Sequence, residues 1–251
     1  MFWFKRKKTE LVIFYDDPEL FQMFPVVPAN KMFPEYYKTL PVRYTKQNNK
    51  NHSFPDSVVN QQSTIRGCYG INNFNNEGFI LPMWCEHSFF VKNGIVHATA
   101  VNDFKLSYHE IEQYTGSLDD YHIFKLESPW EFQCNKDFKW LMMQNHFAVN
   151  STDWHIIPGL TDFYNQSTTN TFISINRKQS DKEIFIRAGT PAVKFFPMTE
   201  DEIVHRYERV DDVKKYKVKA FKFFFSNGLT KMMRAKKITK ERMGGKCPFH
   251  K

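Results

Sequence analysis

Apolar and polar positions alternate most regularly between Trp154 and Met198, and the rest of the chain is organised around that stretch. Thr171 to Ile175 is rich in β-branched and aromatic residues, which suit a pleated, half-buried surface. Ile184, Ile186 and Ala188 fall on one side of a period-two segment, with Phe185 and Arg187 on the other. Gly189-Thr190-Pro191 interrupts this run before Val193, Phe195 and Phe196 resume it. Glycine opens backbone angles closed to other residues and proline cannot donate to a central ladder, so the chain is expected to turn a corner there. The block reads as strand, turn, strand, polar loop, strand, corner, strand.

Outside that block the pattern is shorter-ranged. Residues 9–15 predict a strand, stopped by Asp16-Asp17-Pro18, which also suits the start of a helical turn through Glu19 to Met23. Pro25, Pro28, Pro34 and Pro41 exclude a long helix but leave room for one turn carrying Tyr36 and Tyr37. Residues 45–63 are polar, lack an apolar period and read as an exposed loop. The Gly/Asn-rich run from Gly70 to Gly78 reads as turns, and Gly78 to Trp84 is the most apolar short segment. Lys92-Asn93-Gly94 between Phe89–Val91 and Ile95–Val101 predicts a hairpin, because Asn-Gly suits a type I′ turn. Ser107 with Glu110 can open a short helix as a capping box, and a bent strand fits equally. Strands follow at 121–126, ended by Ser128-Pro129-Trp130, and at 138–143; residues 200–207 suit a short helix or strand. Asp211 to Phe225 has helical charge character, and Leu229 to Arg242 predicts a basic helix closed by Gly244-Gly245.

These elements point to a mainly β fold: a two-sheet antiparallel sandwich with jelly-roll-like connections over residues 1–210, and a basic, partly helical C-terminal extension over 211–251. The 26 phenylalanines supply ample bulk for such a core. Net charge refines the division. The chain carries +8, yet from Lys214 to Lys251 there are 13 Lys and Arg against one acid, Glu241, so the preceding residues are net acidic. No apolar run approaches the roughly 20 residues of a membrane-spanning helix, which argues against a membrane partner. The start, MFWFKRKK, places apolar residues before charges, the reverse of a secretory signal. Cys68, Cys85, Cys134 and Cys247 are far apart and read as reduced thiols in a cytosolic or intracellularly assembled protein.

Candidate chemistry is sparse. Cys85-Glu86-His87 and Cys247-Pro248-Phe249-His250 contain the four ligands of a tetrahedral zinc site, Cys85, His87, Cys247 and His250, if the tail folds back on the core. Compact zinc motifs repeat their pairs closely, and these pairs are remote in sequence. A cupin-like oxygenase needs two histidines and a carboxylate on one face. No H-x-H or H-x-D/E pair occurs, and the best set, His155, Asp162 and His205, follows no spacing rule. No nucleophile elbow, phosphate loop or dinucleotide turn is present. The expectation is therefore no catalytic residue and no cofactor. The tail interleaves cations with aromatics as nucleic-acid surfaces do, and Lys231, Arg234, Lys236, Lys237, Lys240 and Arg242 form its basic contact surface. Docking on an acidic protein surface serves that charge equally well. Trp84, Trp130, Trp140 and Trp154 lie in apolar strands and read as core, whereas Tyr36 and Tyr37, set between prolines, read as an exposed contact surface.

PEYYKTLP, GCYG, GFILPMW and the block PGLTDFYNQSTTN through IFIRAGTPAVKFFPM together resemble a family of uncharacterised proteins encoded by tailed, T4-like phages of marine bacteria. Members tend to carry paired tryptophans where Tyr36 and Tyr37 stand and a His at the position of Gln166. A metal site using that His would be undermined here. The resemblance implies a viral origin, with no activity to carry over. The leading expectation is a non-enzymatic phage protein, virion-associated or an accessory binding module, that meets other phage proteins or itself. A metal-dependent jelly-roll enzyme and a nucleic-acid binder acting through the tail are the alternatives.

Overall fold

The computed structural model describes residues 6–33, 35–45, 61–100, 106–108, 120–146, 151–178 and 181–216. Strand β1 (Lys8–Tyr15) buries Leu11 to Phe14 without a break, as a strand covered on both faces must. Asp17 caps helix α1 (Pro18–Met23): its Oδ1 accepts the Leu20 N–H at 2.9 Å, and Pro18 occupies the first turn, where an amide hydrogen has no partner. After the two-residue strand β2 (Val27–Pro28) comes the single turn expected from the prolines, α2 (Glu35–Thr39). Strands β3 (Arg43–Thr45) and β4 (Gln61–Ser63) pair antiparallel at the two ends of the polar stretch.

The Gly/Asn run forms helix α3 (Tyr69–Asn76) instead of turns. Its composition is poor for a helix, but Phe74 stacks on Phe196 at 5.3 Å and Tyr37 donates its hydroxyl to Asn72 at 3.4 Å. Tertiary packing outweighs the weak propensity. Next come β5 (Phe79–Leu81) and the expected hairpin of β6 (His87–Lys92) and β7 (Ile95–Ala100). Asn93 and Gly94 take φ of 52° and 72°, the positive angles a type I′ turn needs. Strand β8 (Leu106–Tyr108) resolves the ambiguity at Ser107 in favour of a strand, and residues 109–119 lie outside the described residues.

Strand β9 (Tyr121–Cys134) runs through Ser128-Pro129-Trp130, where the sequence predicts an end. Asn170 faces Glu127 and Thr168 faces Glu131, so residues 128–130 bulge opposite Thr169 alone. The bulge removes the need for a ladder amide at Pro129, and Ser128 Oγ accepts the Trp130 N–H at 3.1 Å. The remaining strands are β10 (Trp140–Gln144), β11 (Trp154–Ile156), β12 (Gly159–Thr161), β13 (Thr168–Asn176), β14 (Lys182–Ile186), β15 (Val193–Pro197) and β16 (Glu202–Arg209). β11, β13, β14 and β15 follow the order predicted for the central block, and β12 is an additional strand where the sequence predicts only a turn.

The molecule is mainly β, with several antiparallel sheets. One sheet has the order β11-β13-β9-β1-β16, with β8 on the N-terminal half of β9 and β1 on its C-terminal half. Its β1–β16 pair is parallel, a departure from the all-antiparallel expectation: β16 reaches β1 from a distant part of the chain, with no hairpin to impose direction. A second sheet has the order β12-β10-β15-β5-β2 and a third β14-β6-β7. These two continue one another. The β5–β15 and β6–β14 pairs are joined across the corner, where Gly189 N–H bonds Met83 O at 2.7 Å and Met83 N–H bonds Thr190 O at 2.8 Å. The expected Gly-Thr-Pro corner is thus where the chain leaves one sheet for the next.

Phenylalanines fill the space between the layers. Phe132 of β9 lies 5.4 Å from Phe79 of β5, which stacks on Phe195 of β15 at 4.7 Å, and Phe124 meets Phe89 at 5.0 Å. Val213 and Tyr216, from the start of the basic extension, pack on Val12 and Phe14 at the outer face of β1, with the Phe14 and Tyr216 rings 4.5 Å apart. Among the described residues no helix is long and apolar enough to cross a membrane.

Candidate functional site

The chain passes from the first sheet to the second at Ile157-Pro158, between β11 and β12. Ile157 N–H still bonds Phe172 O at 2.9 Å, and Pro158 can extend no ladder, so the strand must leave. Below this crossover, between β10, β12 and β13, lies a cleft of about 240 Å³. Met142, Ile157, Pro158, Leu160 and Phe172 give it apolar walls; Thr161, Gln166, Thr169 and Asn170 are its polar side chains.

The loop joining β12 to β13 shapes the cleft, and Asp162 holds the loop. Its carboxylate accepts the backbone N–H of Tyr164 at 3.1 Å and Asn165 at 3.3 Å, the Asn165 amide at 2.9 Å, and the Lys139 ammonium. Burial opposes its charge, but the hydrogen bonds from Lys139, Asn165 and Tyr164 outweigh that and keep the carboxyl below the usual carboxylate range. Asp162 O accepts the Gln166 N–H at 2.8 Å, and Gln166 Nε2 donates to Thr168 O at 2.6 Å. The loop is thus tied at both ends. Two polar atoms beside it have no partner: Thr161 Oγ1 and Asn170 Oδ1 are both buried and unbonded.

The residues singled out from sequence fare differently. Tyr36 is half exposed, as a contact residue should be, whereas Tyr37 is 3% exposed and stacks on Phe33, so the pair does not form one surface. Consecutive residues of a helix are rotated by about 100° and do not share a face. The four tryptophans are core residues. Cys85 and His87 do meet, with Sγ 3.3 Å from Nε2, but both are buried. Burial pushes the thiol up to about 11 and the imidazole down to about 4, so both are neutral, and a zinc ligand would have to be a thiolate. Cys247 and His250 lie outside the described residues, as do Lys231, Arg234, Lys236, Lys237, Lys240 and Arg242. Among the described residues no three His, Cys, Asp or Glu side chains are placed to hold a metal ion.

The set of His155, Asp162 and His205 is not assembled. His155 is on β11 and His205 on β16, the two edges of the first sheet, four strand spacings or about 19 Å apart. Asp162 is committed to its own loop. His205 is instead a half-buried ring lying edge-on to Phe79 at 6.1 Å, and burial lowers it to about 4.

Sequence reasoning missed Lys194. It is 2% exposed on the outer face of β15, under α3, with Nζ 4.6 Å from the Phe74 ring centre and 3.4 Å from Asn75 O. Burial lowers its ammonium to about 8. A lysine inside the apolar run Val193 to Phe196 is a signal for such burial, but only if a helix is known to cover it. Thr161 and Asn170 carried no signal of their own; Pro158-Gly159, the break that makes the crossover, is the nearest.

No protein-family model matches the chain, and no curated protein is significantly similar to it.

Proposed function

We propose that this chain is a non-enzymatic bacteriophage protein that works by binding, as a virion-associated structural component or an accessory module built on a jelly-roll-like sandwich. The observation that carries this reading is the cleft under the crossover. Its lining combines apolar walls with hydroxyl and amide groups, and none of its side chains titrates near neutral pH. General acid–base or nucleophilic chemistry needs a proton acceptor or an activated nucleophile at the reacting atom. A neutral, mixed lining is that of a recognition site. The jelly-roll-like reading rests on the way consecutive strands change sheets: β9 and β10, β10 and β11, β11 and β12, and β12 and β13 each lie in different sheets.

Other phage proteins, or a second copy of the chain, are its partners, in the host cytoplasm or in the virion. The phage assignment rests on the sequence resemblance spread from the PEYYKTLP segment to the FFPM segment. The test is mass spectrometry of purified particles of the phage that encodes the chain, beside an unbiased ligand screen. Detection at structural copy number, or a cleft ligand recovered chemically unchanged, supports the proposal. Turnover of a cleft ligand would replace it with an enzyme.

A further inference from the structure

We infer that the outer face of the first sheet, across β1, β9 and β13, is a dock for the chain's own extension, and that residues 217–225 are the segment it takes. This is independent of the cleft and assigns a second surface. Three observations converge on it.

The first is the course of the chain. Val210 N–H bonds Tyr15 O at 2.9 Å, at the end of β1. Val213 then lies on Val12 and Phe14 at the outer face of β1, and Asp16 Oδ2 accepts its N–H at 2.9 Å. The short turn Val213–Tyr216 also touches β9, and Tyr216 stacks on Phe14. The chain thus moves from β16 over β1 towards β9, and it is still on the sheet at Tyr216.

The second is charge. The cross-strand neighbours of Phe14 are Glu208 on β16 and Glu131 on β9, so Tyr216 is seated between two carboxylates. Glu127 follows on β9, opposite Asn170 of β13. Arg206 joins Glu208 at 2.9 Å and Glu10 at 3.2 Å on the side the chain has left. On the side it faces, the segment brings Lys217, Lys219 and Lys222 and no acid to Glu131 and Glu127. Complementary charge of this kind fixes the register of a docked segment.

The third is reach. Beyond β1 the strands β9, β13 and β11 span three spacings, about 14 Å. Nine extended residues cover about 30 Å, so residues 217–225 are long enough to cross all three. Phe221, Phe223, Phe224 and Phe225 come late in the segment, and Phe172 of β13 stands half-buried on the same face. Docked there, the four rings leave water. The dock then fixes the point from which Lys231 to Arg242 reach a partner.

The experiment treats the full chain, as a mixture of isotopically light and heavy protein, with a carbodiimide that joins only touching amines and carboxylates. Mass spectrometry should find Lys217, Lys219 or Lys222 joined to Glu127 or Glu131 within single chains, and the products should fade at high salt. The second arm is chymotrypsin cleavage after Phe221 to Phe225. Lys217→Glu, Lys219→Glu and Lys222→Glu together should speed it about tenfold, because they favour the undocked form, while the far-UV spectrum of the body stays unchanged. Adding Glu127→Lys, at the half-buried carboxylate, should slow it again.

Light–heavy products would mean that the segment docks on another copy, and would overturn the inference. Absence of these cross-links, with wild-type cleavage as fast as in the triple variant, would leave the extension undocked and also overturn it. Cleavage that stays fast after Glu127→Lys is added would place any dock away from this face.

Discussion

Gly78 and Gly189 both have positive φ, +83° and +79°, yet they are constrained differently. A Cβ on Gly78 would collide with the carbonyl oxygen of Phe195, whereas one on Gly189 meets only the Phe24 ring, at 3.5 Å. Gly189→Val should therefore cost about 1–3 kcal/mol of backbone strain. Gly78→Ala should cost more, because β5 and β15 must separate to admit it. Denaturant unfolding of both variants checks the ranking, and an unchanged midpoint for Gly189→Val would remove the corner as a demanding position. His87 makes a second prediction at this scale. Burial holds its folded value near 4, below the ordinary 6.5, so the folded state resists protonation. Its contribution is intact above pH 6.5 and is lost as pH falls towards 4, by up to about 3 kcal/mol. His87→Phe should flatten the stability profile in that window; an unchanged slope would show that the ring is not held neutral.

Lys194 carries the same logic to the level of an element, because the helix α3 and the strand β15 bury it together. Its folded value of about 8 lies below the ordinary 10.5, so between pH 8 and 10.5 the folded amine is neutral while the unfolded one still holds its proton, and stability should rise across that window. Lys194→Met should stabilise the protein at pH 7 and abolish that rise, since an ammonium facing a ring and one carbonyl is poorly compensated. Thermal melts of both proteins at pH 7, 8 and 10.5 decide it; a destabilised Met variant would mean that the charge is needed. Elements of this kind divide by what was legible. The β6–β7 hairpin, α1 and the Gly189 corner could be read because Asn93-Gly94, Asp17-Pro18 and Gly189-Pro191 act within a few residues. Helix α3 and the passage of β9 through Pro129 could not, because Phe196 and Thr169, remote in sequence, decide them. The cleft was illegible because its lining comes from β10, β12 and β13, strands of two different sheets.

At the scale of the molecule, the acidic body and basic end make a testable pair. Tyr216 is seated on Phe14, so the extension starts against the body. Truncation after Asn227 keeps that contact and should reduce binding to partner protein or DNA at low salt, with a smaller loss at moderate salt, where screening acts beyond about 8 Å. Filter binding and sedimentation at two salt concentrations test this; a truncated chain equal to the full one in both would leave the extension without a contact role. The parallel β1–β16 pair has a further consequence, which concerns time. Lys8 meets Glu202 and Tyr15 meets Arg209, so the edge of β1 waits for residues 194 positions later. At roughly 5–20 residues per second of synthesis, that wait is about 10–40 s. For that interval the strand has an open edge on the nascent chain, a template for any neighbouring polypeptide. Among the described strands, the one made earliest is among the last to be completed, so crowding of nascent chains on one message favours misassembly through that edge.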